Sequence, residues 1–373
     1  MRLPLFALFL LALAPQERAF EDGVDGRASL HYVGPVPVLQ LYGTPGEMGA
    51  QYGRLLKKPI AALYRELVTK FLAGMGGAPV EKKLREETQG MAAAVPASIA
   101  AEMKAAARES GLAFDDYMLF NTMFDVEHGG RRLGGCSTMA VTGAASASGE
   151  PMMGRNFDLP QPFWSLSPVG LVVVRHPAKG LAWASVTHPL FAGTHAGLNE
   201  KGLAAGATAG VSGSGYAPNG LPSMMLFRRV LEEASTAAEA ETMLKGAKVT
   251  VSTTLMVLDA KGGNFVAELS PEKVAFRRPE QETLHETNHF RSPELFQKVD
   301  CPRFRWLDEH FKGRTGIDEE GMKKALAGAA PGINLQSMIL YPSRRSLLLS
   351  SGTIPAAKGA FAALSAEDLF GNH

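Results

Sequence analysis

Two short segments hold the residues best suited to chemistry. Gly134-Gly135-Cys136-Ser137-Thr138 sets a thiol directly after two glycines, at the start of a strand-like run. Gly154-Arg155-Asn156-Phe157-Asp158 reads as the next strand, with the turn Ala147-Ser148-Gly149-Glu150 between them. Such a hairpin brings a thiol, a guanidinium and a carboxylate together, enough for a nucleophile site. The glycines permit a strained bend and leave the Gly135 carbonyl open to attack. Arg155 beside Cys136 would favour thiolate over thiol, and Asp158 would accept from a cation in the same pocket. Outside that context Cys136 is an inert core residue, and Arg155 and Asp158 are surface charges.

The elements around these residues follow from periodicity. Val36 to Leu41 reads as a strand, Gly43-Thr44-Pro45-Gly46 as a turn, and a helix is predicted to begin near Glu47. Ile60, Leu63, Tyr64, Leu67, Val68, Phe71 and Leu72 recur at helical spacing, and further helices are expected over 95–109 and around Tyr117, Leu119 and Phe120. The first third therefore reads as mostly helical. After Cys136 hairpins dominate. Strands are expected at Cys136–Thr142, Met152–Asp158, Gly170–His176, Leu181–Thr187, Phe191–Leu198, Gly202–Ala207, Thr253–Leu258 and Asn264–Leu269, with a last hairpin of Leu335–Leu340 and Ser346–Ser350. Helices are expected over 222–245 and 302–312. A helical lead followed by hairpins and helix pairs predicts one α+β domain, its sheets covered by helices.

The chain has 373 residues, with 38 Lys plus Arg against 37 Asp plus Glu, so no net field argues for nucleic acid. Arg2, the apolar run Leu3 to Ala14 and the polar Pro15-Gln16-Glu17-Arg18 have the form of a signal peptide, taken as residues 1–19, with cleavage after Ala14 or near Ala19. The run is shorter than the roughly 20 residues a membrane span needs. An exported protein without a stable membrane span after signal removal is expected. Two cysteines, Cys136 and Cys301, make no disulfide framework, though export permits a bridge between them. No metal is expected, since His128, His195 and His285 lack partners at ligand spacing.

Taken together, Gly135-Cys136-Ser137-Thr138 and Gly154-Arg155-Asn156-Phe157-Asp158 resemble the isopenicillin-N acyltransferase-like branch of the N-terminal-nucleophile (Ntn) hydrolases. The likeness extends to Gly43-Thr44-Pro45-Gly46-Glu47-Met48-Gly49 with Gly53-Arg54-Leu55-Leu56, to Gly197-Leu198-Asn199-Glu200-Lys201-Gly202-Leu203, and to Thr287-Asn288-His289-Phe290. The resemblance implies an αββα sandwich of two antiparallel sheets between helical layers. It also implies self-cleavage at Gly135–Cys136, into a light helical segment (20–135) and a heavy segment (136–373) that stay together as partners in one domain. Cys136 would then be the nucleophile and, through its new α-amine, the general base. A free α-amine titrates near 7.7–8.0, which suits that role. Asp158 matches the residue that orients the amine, Arg155 the arginine beside the thiol, and Asn199 and Asn288 the oxyanion pair, the first through its backbone N–H and the second through its side-chain amide. Arg303 matches a later site arginine, with Arg305 two residues away as competitor and Cys301 where a small hydroxyl residue is usual. The implied substrate is a small linear acyl-amide, hydrolysed or passed to an amine through an acyl-thioester, with no cofactor.

Other readings compete. An exported, non-catalytic binding protein with the same fold is one. A cysteine peptidase pairing Cys136 with His289 is another, although papain-type enzymes place their cysteine at a helix start. Ser270-Pro271-Glu272-Lys273 matches the S-x-x-K pattern of penicillin-recognising enzymes but reads as a turn and lacks the companion motifs. Asn199 as a turn residue and Asn288 as a loop residue stand as plain structural alternatives. Phe163 and Trp164 suit either an acyl-pocket wall or core packing.

Overall fold

The computed structural model describes residues 18–125, 135–209 and 215–371. The expected signal segment lies outside the described residues apart from Arg18 and Ala19, as do Gly134 and His128.

Alternation of apolar side chains along the strands sets the layers. Ten strands form the larger sheet: β1 (Gly23–Asp25), β2 (Ala28–Val33), β3 (Val36–Gly43), β6 (Leu171–Pro177), β7 (Trp183–Thr187), β8 (Ala196–Asn199), β9 (Leu203–Ala209), β10 (Thr253–Asp259), β11 (Asn264–Leu269) and β12 (Val274–Arg277), paired in that order. The smaller sheet runs β13 (Thr283–Glu286), β4 (Gly135–Val141), β5 (Met152–Asp158), β14 (Asn334–Tyr341), β15 (Ser346–Ser351) and β16 (Ala362–Leu364). Val36 and Val38 of β3, Val172 and Val174 of β6, and Ala140 and Met153 of the smaller sheet meet in one buried layer between the sheets. The intervening Leu39, Leu41, Leu171 and Val173 point outward to helices α1 (Pro45–Leu55), α2 (Lys57–Tyr64), α3 (Phe71–Met75), α4 (Ala78–Ala92), α5 (Ala97–Ser110) and α6 (Phe114–Thr122). Helices α7 (Ser223–Glu233) and α8 (Ala237–Lys245) cover the rest of that face. On the far side Met139, Val141 and Ile339 pack on α9 (Pro302–Phe311) and α10 (Glu319–Ala329), and a short α11 (Ala366–Phe370) ends the fold. The chain is an αββα sandwich, as the resemblance implied.

Several expectations need correction. The larger sheet is not wholly antiparallel, because β3 and β6 pair in parallel, Val38 opposite Val172 and Gly43 opposite Pro177. A parallel joint needs a crossover, and here the α1–α6 helices and the β4–β5 hairpin supply it. The N-terminal third also adds three strands to a sheet edge, with turns at Gly26 and Gly34 in the left-handed region. The expected helix over 222–245 is two helices; the second opens at Thr236, whose side chain accepts from Glu239 N–H. Of the expected strand 191–198 only residues 196–198 lie in the sheet, within Ala196–Asn199, and α10 was not anticipated at all. Among the described residues no helix is long and apolar enough to cross a membrane.

The glycine-rich upstream motif has a packing explanation. Thr44 and Glu47 form a capping box at the start of α1. Gly49 and Gly53 then face α5 so closely that a Cβ at Gly49 would overlap the Glu102 carbonyl.

Candidate active site

The β4–β5 register places the chemistry. Gly135 lies opposite Asp158, Cys136 opposite Phe157, and Thr138 opposite Arg155. Cys136 and Arg155 thus face the layer between the sheets, while Asp158 shares the other face with Asn156. Arg155 Nη2 stands 3.5 Å from Cys136 Sγ, and its Nε donates to the Ala207 carbonyl of the facing sheet at 3.0 Å. The guanidinium is therefore anchored to both sheets. On the other face, Asn334 Nδ2 donates to Asp158 Oδ1 at 2.9 Å, and Arg303 Nη1 lies 3.3 Å from Asp158 Oδ2.

Cys136 is held through its backbone as well. Its N–H donates to Asn288 Oδ1 at 2.8 Å, and its carbonyl accepts from Arg303 Nη1 at 2.8 Å. Arg303 Nη2 also donates to Asn288 Oδ1 at 2.9 Å. Gly135 packs close to this arginine, since a Cβ there would come within 3.1 Å of the Arg303 guanidinium and press it aside. Cys136, Arg155, Asp158, Asn288 and Arg303 form one connected cluster. Arg305 points away and pairs with Asp300 on the surface.

Burial dominates the electrostatics. The Cys136 thiol is 5 % exposed, and burial pushes it above its ordinary value, with the charge of Asp158 adding to that. Arg155 pulls the other way and loses, so the expected resting thiolate does not follow. The reason is that burial disfavours the thiolate itself more than one neighbouring guanidinium favours it; Arg155 is buried too, and burial lowers it against the pull of Cys136, Asp158 and Glu286. Burial likewise raises Asp158 to about 7, against its Asn334 hydrogen bond and the two arginines.

The Asn199 side chain does not join the cluster. Its Nδ2 donates to the carbonyls of Leu231 and Ala234 at the end of α7, and its Oδ1 accepts from Lys201 and Leu203 N–H. Those contacts are those of a turn and cap residue, and the backbone N–H that the resemblance assigns to the oxyanion is a separate group. His289 sits with Thr287 and Cys301 rather than with Cys136. Cys136 and Cys301 are both free. Ser270 and Lys273 close a tight turn on each other, as read from the sequence. Phe163 is fully buried in the helical core beside Phe124.

Some neighbours carried no local signal. Asn334 opens β14 as any polar residue opens a strand. Glu286 lies opposite Thr138, on the far side of β4 from Arg155, and burial raises its carboxyl to about 8. His188 and His195 stack near Phe157, and burial with the charge of Arg155 holds both far below ordinary imidazole values, His188 at about 3.

Residues 145–305 match the family model described as acyl-coenzyme A:6-aminopenicillanic acid acyl-transferase. The family resemblance carried by the sequence is borne out. The acyl-transferase match takes in Arg155, Asp158, Asn288 and Arg303 and begins after Cys136. An uncharacterized protein of Archaeoglobus fulgidus is 28% identical over 295 residues, covering 71% of this chain and 47% of that protein. The chain thus spans about half the length of this curated relative. Similar solved structures include a Caenorhabditis elegans N-acylethanolamine-hydrolyzing acid amidase ortholog (18% identity, TM-score 0.46, covering 56% of this chain and 93% of that one). A conjugated bile acid hydrolase variant from Clostridium perfringens gives 13% identity and a TM-score of 0.48 over 64% of this chain and 94% of that one. Penicillin V acylase from Agrobacterium tumefaciens gives 16% and 0.41 over 61% and 90%.

Proposed function

We propose that this protein is an exported, self-processing amidase that cuts its own Gly135–Cys136 bond and then hydrolyses small linear acyl-amides through a Cys136 thioester. The observation that carries this reading is the setting of Cys136, whose buried thiol lies 3.5 Å from Arg155 while its backbone nitrogen lies 2.8 Å from Asn288 Oδ1. A thiol raised by burial needs a base, and the histidines nearby are too weakly basic to serve well. Cleavage at Gly135 would create one in place, the Cys136 α-amine.

In processing, the thiol adds to the Gly135 carbonyl, the peptide nitrogen leaves as the Cys136 amine, and water hydrolyses the resulting thioester. In turnover, the amine takes the thiol proton and the thiolate adds to the substrate carbonyl. The amine then returns the proton to the departing nitrogen, and water releases the acid. Asn288, through its side-chain amide, is the candidate oxyanion donor; such donors are worth about 3–4 kcal/mol elsewhere. Asp158 and Arg303 hold the backbone end of Cys136. Water is the acceptor in this reading, and an amine in its place would make the enzyme an acyltransferase. Export rests on the Arg2 to Ala14 pattern.

Intact mass measurement of the purified protein tests the proposal. A heavy fragment beginning at Cys136, absent in Cys136→Ala, together with acid release from an acyl-amide panel, is the expected result. A wild-type chain that stays whole, or a Cys136→Ala chain that is still cut, would overturn it.

A further inference from the structure

The other thiol occupies a second constructed setting. Cys301 is the N-cap residue of α9 and is half-buried, so it remains open to solvent. Thr287 Oγ1 lies 3.5 Å from Cys301 Sγ and 3.0 Å from His289 Nδ1, which gathers thiol, hydroxyl and imidazole into one cluster. His289 is 1 % exposed, and its Nε2 has no hydrogen-bond partner among the described residues. Such a ring can serve a neighbouring anion that arrives or forms there. The cluster is also contiguous with the candidate active site through the chain. Asn288 stands between Thr287 and His289, and Arg303 comes two residues after Cys301. Both of those residues hold Cys136.

We propose that Cys301 is a modification site, a second reactive thiol that accepts a small disulfide and, once capped, disables the Cys136 site by displacing Arg303 and Asn288. The thiolate attacks one sulfur of R–S–S–R. A bond from Cys301 Sγ to that sulfur forms, the original S–S bond breaks, and R–S⁻ departs with the electron pair and takes a proton from water. The electrostatics favour the attacking species. Burial pushes the Cys301 thiol up, but the neighbouring His289 and Thr287, the Phe304 N–H and the charge of Arg303 bring it down to about 6. Cys136 is raised, so the two cysteines differ in opposite directions. At pH 6.5 most of Cys301 is thiolate and little of Cys136 is. The cap then sits at the first turn of α9, where Arg303 reaches Cys136, Asp158 and Asn288.

The loss of activity on capping rests on the amidase reading; the capping itself does not. The test exposes the full-length protein to glutathione disulfide at pH 6.5 and follows intact mass and peptide maps over time. One glutathionyl group on Cys301 is expected, in the wild type and equally in Cys136→Ala. In His289→Gln the rate should fall about fivefold, since the thiolate fraction drops and the greater nucleophilicity of the remaining thiolate offsets that only in part. Amide hydrolysis by the capped wild type should be lost and should return with dithiothreitol, while Cys301→Ser and Cys301→Ala keep activity and ignore the disulfide. Capping of Cys136 ahead of Cys301, or an unchanged rate in His289→Gln, would overturn the reactive-thiol assignment. Full activity in the capped wild type would overturn the coupling to Arg303.

Discussion

Arg155 competes with burial at Cys136, and burial wins, so the residues that titrate near neutrality carry the pH response. In the precursor of the proposed self-cleavage the Cys136 α-amine would not yet exist. Asp158, raised to about 7 by its burial, is then the carboxylate beside the proposed scissile bond that changes charge in the working range. Self-cleavage should accelerate as pH rises through about 7, and Asp158→Asn should slow it at least about 100-fold and flatten that profile. Timed gels of freshly refolded precursor at a series of pH values would measure both effects. Glu286 supplies a matching stability test. Its folded value of about 8 exceeds the ordinary value of about 4.3 for an unfolded glutamate, so the folded state binds more protons between them. The cost of Glu286 is absent below about pH 4, grows as pH rises, and is complete above pH 8. Glu286→Gln should therefore stabilise the protein by at least about 1 kcal/mol at pH 8 and by almost nothing at pH 4. Urea unfolding at the two pH values reads the difference.

At the scale of elements, the site depends on how tightly helices and strands approach. Gly49 lets α1 lie on α5, and the Glu102 side chain of that same helix bonds Arg175 of β6 at 2.9 Å and Arg228 of α7 at 2.6 Å. A methyl at Gly49 pushes α5 and strains this buried ion triad. Gly49→Ala should cost about 3 kcal/mol, against a small gain in the outward-facing Gly46→Ala, where no atom lies near the added carbon. Chemical denaturation of both variants checks the contrast. The same elements show what was legible in the sequence. Gly-Cys-Ser-Thr followed by a turn and Arg-x-x-Asp gave the β4–β5 hairpin because its register is local. Arg155 beside Cys136 follows from strand periodicity, whereas the choice of Arg303 over Arg305 is made only by the fold, which turns Arg303 to Cys136 and Arg305 to Asp300. Asn334 and Glu286 were illegible because they meet the site across strands distant in sequence, and nothing in a polar residue marks which strand it will face. Asn199 is ambiguous for a related reason: an Asn before a Glu-Lys-Gly turn has the same local form whether it caps a helix or serves a site.

The whole molecule turns on how the two segments on either side of Gly135 interlock. The parallel joint of β3 with β6 belongs to both, one strand from each segment. Gln40 Nε2 donates to the Asp368 carbonyl at 2.8 Å, near the far end of the chain. Tyr52 Oη reaches the Phe191 carbonyl at 3.3 Å, and Asn121 bridges the Leu190 carbonyl at 3.0 Å and the Ala192 N–H at 2.7 Å. These last contacts fix the loop between β7 and β8 that carries His188 and His195. Leu39, Met48, Tyr52, Met103 and Phe120 share one continuous buried cluster with Cys136, Phe157, Phe191 and Met224. Cutting one peptide bond removes none of this, whereas separating the pieces would expose a core and a sheet edge at once. The cut protein should therefore elute as a single species of precursor size on gel filtration and resolve into two bands only under denaturing conditions. Heavy segment expressed from Cys136 alone should be insoluble or inactive, and should recover activity when refolded together with the light segment. Independent folding of the heavy segment would show that the N-terminal strands and helices are an accessory layer rather than half of the scaffold that positions Cys136.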